Sequence, residues 1–352
     1  MIFYIFLFAI YICIALKKTT KHDIKVGIIS LVCLCFFSAF RGETVGTDTV
    51  SYLDLAVKDI DVSEMLRRPE FIYYSLANFL LIKGLSMRYL ILFFSVVTFA
   101  FLYLSAKRTN ASITLVSFVF LLLFYFYSFN IARQIAAVSI ILYGYTFINE
   151  NSLRKRCNFF LLVSLATLFH ASSMLAIIAY FFRKVSLPSR MLFGIACVLF
   201  LVNIISPFNI MVLFENLFSD SFYASKYASE ANIYERSGFG ILVDVINIMI
   251  MLFVFLLQTK GRKTEFNDNL FLFSVLSTML STSLNSNVGR VVFIFSIFQV
   301  LYLSDFFEKK DVFPTVKLIF VCWIVFNAFF DLYNASNGYG DIVPYIIDFN
   351  FK

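Results

Sequence analysis

Hydrophobic residues in this chain gather in long runs, and the polar residues between them form short connecting segments. A helix needs about 20 predominantly apolar residues to cross the hydrocarbon core of a bilayer. The sequence lacks the short stretches of alternating polarity that mark barrel strands. Only a helix satisfies its backbone hydrogen bonds within one segment in lipid. The pattern therefore predicts an all-α, polytopic transmembrane bundle of about ten to twelve segments, re-entrant or broken helices among them.

The predicted segments cover residues 2–16, 26–40, 71–86, 89–105, 112–129, 131–148, 159–182, 191–213, 240–258, 269–288, 291–306 and 315–333. No internal repeat or low-complexity linker divides this series. We therefore predict one integral membrane domain over 1–352. Its larger polar loops are 41–70 and 214–239.

Composition strengthens the membrane prediction. The chain of 352 residues is 61% hydrophobic and only 14% charged, with a mean hydropathy of +0.85. Soluble domains are about half apolar and a quarter charged. The net charge of +7 comes from short basic clusters beside apolar runs, which argues against a nucleic-acid partner. The six cysteines have no metal-ligand spacing, and no nucleotide-binding loop is present, so we predict neither a metal nor another cofactor.

Charge in the short loops predicts the orientation. Basic clusters lie near residues 17–25, 107–108, 154–156, 183–190, 260–263 and 309–310. The loops 41–70 and 214–239 and the tail 334–352 carry more acidic than basic residues. The positive-inside rule places the basic clusters in the cytoplasm and these two loops and the tail outside.

The run 159–182 conflicts with this orientation, because basic loops precede and follow it. His170 and small polar residues lie at its centre, where a polar group in lipid is costly. One interpretation is a pair of half-helices that enter from the cytoplasmic side, break near His170 and return. The other is an ordinary spanning helix with one loop on the opposite side. A similar conflict affects 71–105.

Polar residues directly after the second run form the first candidate site. Two glycines allow a close backbone approach, and amides with threonine hydroxyls can hold an anion or a sugar. An arginine fork suits phosphate oxygens, and a carboxylate can accept the proton of a sugar hydroxyl. The alternative is an ordinary turn with an arginine that reaches the membrane interface. The candidate residues are Arg41, Glu43, Gly46, Thr47, Asp48, Thr49 and Tyr52.

Two further arginines lie on the predicted outer side. Arg133 and Gln134 sit between two apolar runs, and Arg290 lies between two others. Basic residues are uncommon on that side, so Arg133 indicates a bound anion or a buried acidic partner. Together with Arg41, these arginines suit a diphosphate, whose charge they can neutralise without a metal.

His170 is the third kind of candidate. A histidine with an ordinary pKa near neutrality suits a proton carrier or a hydrogen-bond donor to phosphate. The alternative is a structural histidine with its hydrogen bonds satisfied inside the bundle. No acidic residue close to it in sequence offers itself as a catalytic partner.

These motifs, in this order, resemble the EpsG/Wzy-type polysaccharide polymerases. Residues 41–52 resemble the family's arginine, Gly-Thr-Asp and tyrosine signature, and 133–136 resemble its Arg-Gln-x-Ala. Residues 169–172 resemble Phe-His-x-Ser, 287–290 its late arginine segment, and 344–345 its terminal Pro-Tyr. The ordered set covers most of the chain, and the tract 190–280 matches no motif.

The resemblance implies a metal-independent glycosyltransferase of the bacterial cytoplasmic (inner) membrane. It would transfer a glycan from undecaprenyl diphosphate to a new lipid-linked oligosaccharide repeat at the outer face, in O-antigen or other surface polysaccharide synthesis. Arg41, Arg133 and Arg290 would bind diphosphate, and Asp48 and His170 would be catalytic, with exchangeable roles. Expected partners are the lipid-linked donor and acceptor, membrane lipids, a chain-length regulator and a flippase.

Three other functions remain open on the sequence alone. A flippase or transporter of lipid-linked oligosaccharide also has broken helices and charges in the membrane, but usually has internal repeats. An O-antigen ligase would use the same donor with another acceptor. A membrane acyltransferase would need an acidic partner for His170.

Overall fold

The computed structural model describes residues 1–16, 24–54, 70–150, 152–184, 265–281, 293–336 and 341–349, with isolated helical residues between 191 and 257. Arg290 and the loop 214–239 lie outside the described residues. Helices dominate the described ranges, which contain one isolated bridge, between Arg41 and Ile347, and no strand. The all-α prediction is confirmed.

Most helix bounds in the described residues lie close to those of the predicted runs, whereas the runs 191–213 and 240–258 lie largely outside the described residues. The helices are α1 Ile2–Leu16, α2 Ile24–Ala39, α3 Thr47–Leu53, α4 Phe71–Ile82, α5 Arg88–Thr109, α6 Ile113–Leu123, α7 Tyr127–Asn130, α8 Ala132–Tyr145, α9 Leu153–Phe169, a 3₁₀ segment Ala171–Lys184, α10 Phe266–Ser281, α11 Phe293–Ser296, α12 Gln299–Glu308 and α13 Pro314–Ser336. By length and composition, α5 and α13 can cross a membrane, while α1, α2, α4 and α6 are shorter apolar helices.

The chain forms two compact units, one of Met1–Ile177 with Val300–Lys352 and one of Ile178–Gln299. In the first unit, α6 and α8 are buried on nearly all sides, as expected for predominantly apolar helices at the centre of a bundle. Helix α8 packs against α5 and α9, and α2 packs against α5 and α6. In the second unit, α10 packs against α11.

Small residues bring α2 close to its neighbours in the first unit. A Cβ added to Gly27 would lie 2.6 Å from the Cβ of Ile113 on α6. The hydroxyl oxygens of Ser38 and Ser95, on α2 and α5, lie 3.0 Å apart. Close approach at small residues is the usual way in which membrane helices pack. These contacts fix the end of α2, from which the segment that begins at Arg41 continues.

Helices α1 and α13 present apolar side chains outward. Phe6 on α1 is 66% exposed, and Leu318 and Phe326 on α13 are 56% and 50% exposed. Contiguous exposed apolar surface is unfavourable in water. This surface is as expected for a protein with lipid as its solvent.

The chain breaks at His170. Helix α9 ends at Phe169, His170 is extended with φ −152° and ψ 119°, and the 3₁₀ segment begins at Ala171. The break that one of the two interpretations of 159–182 required is therefore present. Whether the two halves enter and return on the same side stays a prediction.

Candidate functional site

A single buried carboxylate joins two of the predicted site residues. Glu70 precedes α4 and is 4% exposed. Its Oε2 lies 3.3 Å from Nη1 of Arg133, and its Oε1 lies 3.3 Å from Nδ1 of His170. Its carboxylate also accepts a hydrogen bond from the backbone N–H of Ala171. Three segments that are distant in sequence therefore meet at Glu70.

The surroundings keep this carboxylate ionised. Burial raises the pKa of Glu70, but the hydrogen bond from His170 and the charge of Arg133 together lower it more. The net effect is a pKa below the ordinary value of 4.5. At neutral pH the site thus holds a buried negative charge whose partners are an arginine and a histidine.

The partners of Glu70 are more accessible than Glu70 itself. The side chains of Arg133 and His170 are 21% and 23% exposed, against 5% for the Glu70 side chain. Of the three side chains, the guanidinium and the imidazole therefore offer more surface to a bound molecule than the carboxylate does. The carboxylate behind them sets their orientation.

Aromatic side chains hold Arg133 from another direction. Its guanidinium carbon lies 4.3 Å from the ring centre of Tyr73, a favourable cation–π geometry. The Tyr73 ring packs near Tyr52, with centroids 6.1 Å apart. The Tyr52 hydroxyl accepts a hydrogen bond from the backbone N–H of Arg133, at 3.4 Å. Tyr52, a predicted site residue, thus contacts the start of α8.

Arg41 is enclosed by protein. It is fully buried, and its Nε donates to Oγ1 of Thr49 at 2.9 Å. Its Nη1 donates to the Ser38 carbonyl at 2.8 Å and its Nη2 to the Phe129 carbonyl at 3.2 Å. Burial lowers the pKa of Arg41 to about 10, so it is charged at neutral pH. The guanidinium ties together the end of α2, helix α3 and helix α7.

Gly46 lies where the backbone conformation and a close contact both disfavour a side chain. Its φ is +90°, and its N–H donates to the Asp341 carbonyl at 2.8 Å. A Cβ on Gly46 would lie 2.5 Å from the Phe129 carbonyl oxygen. The next residue, Thr47, donates its N–H to Oδ1 of Asn130 at 3.0 Å. The glycine therefore allows the first turn of α3 to lie against the end of α7.

Substitution Gly46→Ala tests this close approach. We expect it to destabilise the chain by about 2 kcal/mol or more, because it adds a steric clash to a strained φ. Gly84 is a matched control, since its φ is +62° and an added Cβ would meet no atom within 4 Å. Thermal unfolding in detergent should show a larger loss for Gly46→Ala than for Gly84→Ala. Equal losses of thermal stability in the two variants would show that the close contact between Gly46 and Phe129 does not contribute to stability.

The remaining predicted residues differ in accessibility. Glu43 and Thr47 are exposed, Asp48 is half-buried, and Thr49 and Gln134 are buried. Burial raises the pKa of Tyr52, and the charges of Arg133 and Asp48 influence it in opposite directions. Both charges therefore lie near Tyr52. Arg290 cannot be placed, because it lies outside the described residues.

Glu70 was not among the residues predicted from sequence. It ends the acidic loop 41–70, and its charge was used only as part of the acidic excess that places this loop outside. The criterion that selected the arginines was an ionisable residue at the border of an apolar run, and Glu70 meets the same criterion. For Arg133, one of the two predicted alternatives was a buried acidic partner, and Glu70 is that partner. It also supplies the acidic neighbour that the sequence around His170 lacked.

The fold and the site define an all-α membrane protein with a buried carboxylate between an arginine and a histidine. The model of the EpsG family matches residues 24–347, nearly the whole chain. The chain belongs to the EpsG family, a family of Wzy-like polysaccharide polymerases. The resemblance seen in the sequence is thereby confirmed, and with it a polysaccharide polymerase-type role. No curated protein and no solved structure matches the chain.

Proposed function

We propose that this protein polymerises lipid-linked oligosaccharide repeats at the outer face of the bacterial cytoplasmic membrane. The growing glycan would leave undecaprenyl diphosphate and join the non-reducing end of a new lipid-linked repeat. The observation that carries the proposal is the pairing of Arg133 and His170 by Glu70. It sets a fixed positive charge beside a group able to accept a proton.

This reaction needs both of those groups. The bond between the anomeric carbon and the diphosphate oxygen breaks, and a glycosidic bond forms to the acceptor hydroxyl. The hydroxyl loses its proton, and undecaprenyl diphosphate leaves with additional negative charge. Arg133, partly exposed and held by Glu70, would stabilise that charge together with Arg290.

His170 would take the proton of the acceptor hydroxyl. Because Nδ1 lies 3.3 Å from Oε1 of Glu70, the other ring nitrogen, Nε2, would be the base, by the logic of a histidine oriented by a carboxylate. Asp48 would then orient the acceptor sugar, with the exposed Glu43 and Thr47 as further sugar contacts, whereas Gln134 is buried and would support the start of α8. The sequence left the roles of Asp48 and His170 exchangeable, and the contact with Glu70 supports this assignment.

Arg41 receives a different role from the one proposed on sequence grounds. All three of its guanidinium nitrogens donate to protein oxygens, and none of its surface is exposed. We propose that it braces the segment that carries Asp48, while Arg133 and Arg290 contact the diphosphate. The chain would be multi-pass, with loops 41–70 and 214–239 outside the cytoplasm and a chain-length regulator and a flippase as partners.

The experiment compares two arginines with similar surroundings. Arg133 pairs with Glu70 and lies over Tyr73, whereas Arg108 pairs with Glu150 and lies over Phe147, 3.7 Å from the ring centre. In a producing bacterium that lacks its own copy, we expect Arg133→Ala to shorten surface polysaccharide to single repeats. The purified variant should polymerise lipid-linked repeats roughly 100-fold more slowly. Arg108→Ala should retain long chains.

The gel pattern separates the proposed function from its alternatives. A polymerase defect leaves single repeats on the final carrier, whereas a flippase or ligase defect leaves little surface glycan of any length. Folded Arg133→Ala with normal long chains would refute the proposed charge stabilisation. Loss of all surface glycan in that variant would point to transport or ligation.

A further inference from the structure

The C-terminal residues 341–349 lie along the segment that leads into the site. The N–H of Gly42 donates to the Ile346 carbonyl at 2.7 Å, and the N–H of Asp348 donates to the Phe40 carbonyl at 2.9 Å. Between them, Arg41 and Ile347 form an antiparallel bridge. We call the residues 341–349 the C-terminal clasp. Its backbone fixes the course of 40–46 immediately before Thr47 and Asp48.

Side chains anchor the clasp to the first two helices. The Tyr345 hydroxyl donates to the Phe37 carbonyl at 2.5 Å, and the Tyr345 ring stacks on Phe3 with centroids 4.2 Å apart. The Tyr4 hydroxyl donates to the Ile342 carbonyl at 2.8 Å. The clasp is therefore held independently of the segment 40–46 and can act as a support for it.

One guanidinium connects the clasp with the site segment. Arg88 begins α5 and is 7% exposed. Its Nη1 donates to the Arg41 carbonyl at 3.2 Å, and its Nη2 forms an ion pair with Oδ2 of Asp348. A nearly buried guanidinium is unfavourable unless a carboxylate compensates its charge. Asp348 therefore holds Arg88 in the place where it supports the Arg41 backbone.

The support continues through Arg41 to the catalytic groups. The Arg41 side chain binds Thr49 of α3, and Tyr52 of the same helix accepts the N–H of Arg133. We propose that Asp348 is a positioning residue, which acts through Arg88 and Arg41 to hold α3, with Asp48 and Tyr52, against Arg133. The effect on turnover rests on the proposed function. The clasp itself rests only on the backbone and side-chain contacts of residues 341–349.

Kinetics of the purified full-length chain test the positioning. Asp348→Asn keeps the size and a hydrogen-bond acceptor but removes the charge. We expect kcat with undecaprenyl-diphosphate-linked repeats to fall roughly 10- to 100-fold, as for a small misplacement of catalytic groups. KM for the repeat should stay unchanged, since Asp348 would not touch substrate. The thermal unfolding midpoint should fall, because the nearly buried Arg88 loses its counter-charge. Asp348→Glu should restore most of the rate.

Asp305 provides the control, because it also pairs with a basic residue, Lys309, but is 61% exposed on α12. Asp305→Asn should behave as the unchanged chain. Equal kcat for Asp348→Asn and Asp305→Asn would overturn the positioning role. So would a fall in unfolding midpoint that parallels the loss of rate without rescue by Asp348→Glu, since that pattern describes a purely structural residue.

A disulfide tests the clasp without any activity assay. A Cβ on Gly42 would lie 3.1 Å from the Cβ of Ile346, slightly shorter than the separation usual in disulfides. In a chain with its native cysteines replaced by serine, Gly42→Cys with Ile346→Cys should cross-link under a copper oxidant. Gly84→Cys with Ile346→Cys should not, because an added Cβ at Gly84 has no neighbour within 4 Å.

The two readouts separate the two proposals. Absence of the cross-link in folded protein would overturn the clasp. A cross-linked chain that keeps its polymerase rate would support a fixed clasp. If the cross-link forms but the unchanged chain does not polymerise the repeats, the proposed function is rejected and the clasp remains.

Discussion

Glu70→Gln is expected to abolish polymerisation while the chain stays folded and in the membrane. Glutamine matches the size of glutamate, but it removes the negative charge that lies between Arg133 and His170. Both partners then lose the group that orients them, so we expect turnover to fall roughly 1,000-fold or more. Conversion of purified lipid-linked repeats to longer products measures the loss, and single repeats on the cell surface should accompany it.

Glu150→Gln is the matched control for this substitution. Glu150 also joins two basic residues, Arg108 and Lys155, but in a cluster apart from the proposed site. We expect Glu150→Gln to retain nearly normal turnover. Long products from folded Glu70→Gln would show that the carboxylate is dispensable and would remove the basis of the proposed mechanism.

The pH dependence of unfolding gives an independent check on Glu70. Its pKa in the folded chain lies below the ordinary value, so its ionised form contributes stability above about pH 4.5. That contribution is lost as the pH falls through the lower, folded-state pKa. Glu70→Gln should therefore unfold at a lower temperature than the unchanged chain at pH 7. The difference should narrow at pH values below about 4.5, where the unfolded carboxyl is protonated.

Helix positions could be predicted because they depend on local information. The runs 2–16 and 26–40 became α1 and α2 with nearly the same bounds. Apolar runs between charged clusters leave few alternatives when lipid is the solvent. The break at His170 was one of two alternatives that the sequence left open, on the ground that a polar group inside an apolar run conflicts with a continuous lipid-facing helix. The run 112–129 is divided at 124–126, where consecutive aromatic residues weaken the helix.

Pairings between distant residues could not be predicted in this way. Glu70 meets His170 only because α4 packs against α9, and hydropathy carries no information about that contact. The burial of Arg41 illustrates the same limit. Its position after a predicted span indicated a group open to substrate, whereas its acceptors are the Ser38 and Phe129 carbonyls and Thr49. Ser38 lies three residues before Arg41, whereas Phe129 belongs to α7, 88 residues further along the chain.

The two arginines also show why a shared residue type does not imply a shared role. Arg41 and Arg133 were assigned the same function on charge and predicted side alone. Arg133 keeps 21% of its side-chain surface exposed and has an anionic partner, whereas Arg41 has neutral acceptors and no exposed surface. A buried guanidinium whose three nitrogens each donate to a protein oxygen stabilises the fold first. The proposed division of labour follows from that difference.

His170 could act either by accepting a proton or by donating a hydrogen bond to phosphate. Two substitutions at this position distinguish these mechanisms. In His170→Asn, the side-chain amide can take the place of Nδ1 and keep the contact with Glu70, but nothing replaces Nε2. In His170→Gln, the amide nitrogen lies near the place of Nε2 and can donate to phosphate, but it cannot accept a proton. Comparison of the two variants therefore separates proton transfer from phosphate binding.

If His170 accepts the proton of the acceptor hydroxyl, both variants should lose roughly 1,000-fold in turnover, within the range for a positioned general base. Glu70→Gln combined with His170→Gln should then be no slower than the slower single variant, because residues that act as one unit are not additive. Turnover of purified protein over lipid-linked repeats measures all three. A His170→Gln chain that keeps a tenth of the normal rate would instead identify His170 as a hydrogen-bond donor to the diphosphate. The proton would then have to pass to Asp48, the half-buried carboxylate at the start of α3.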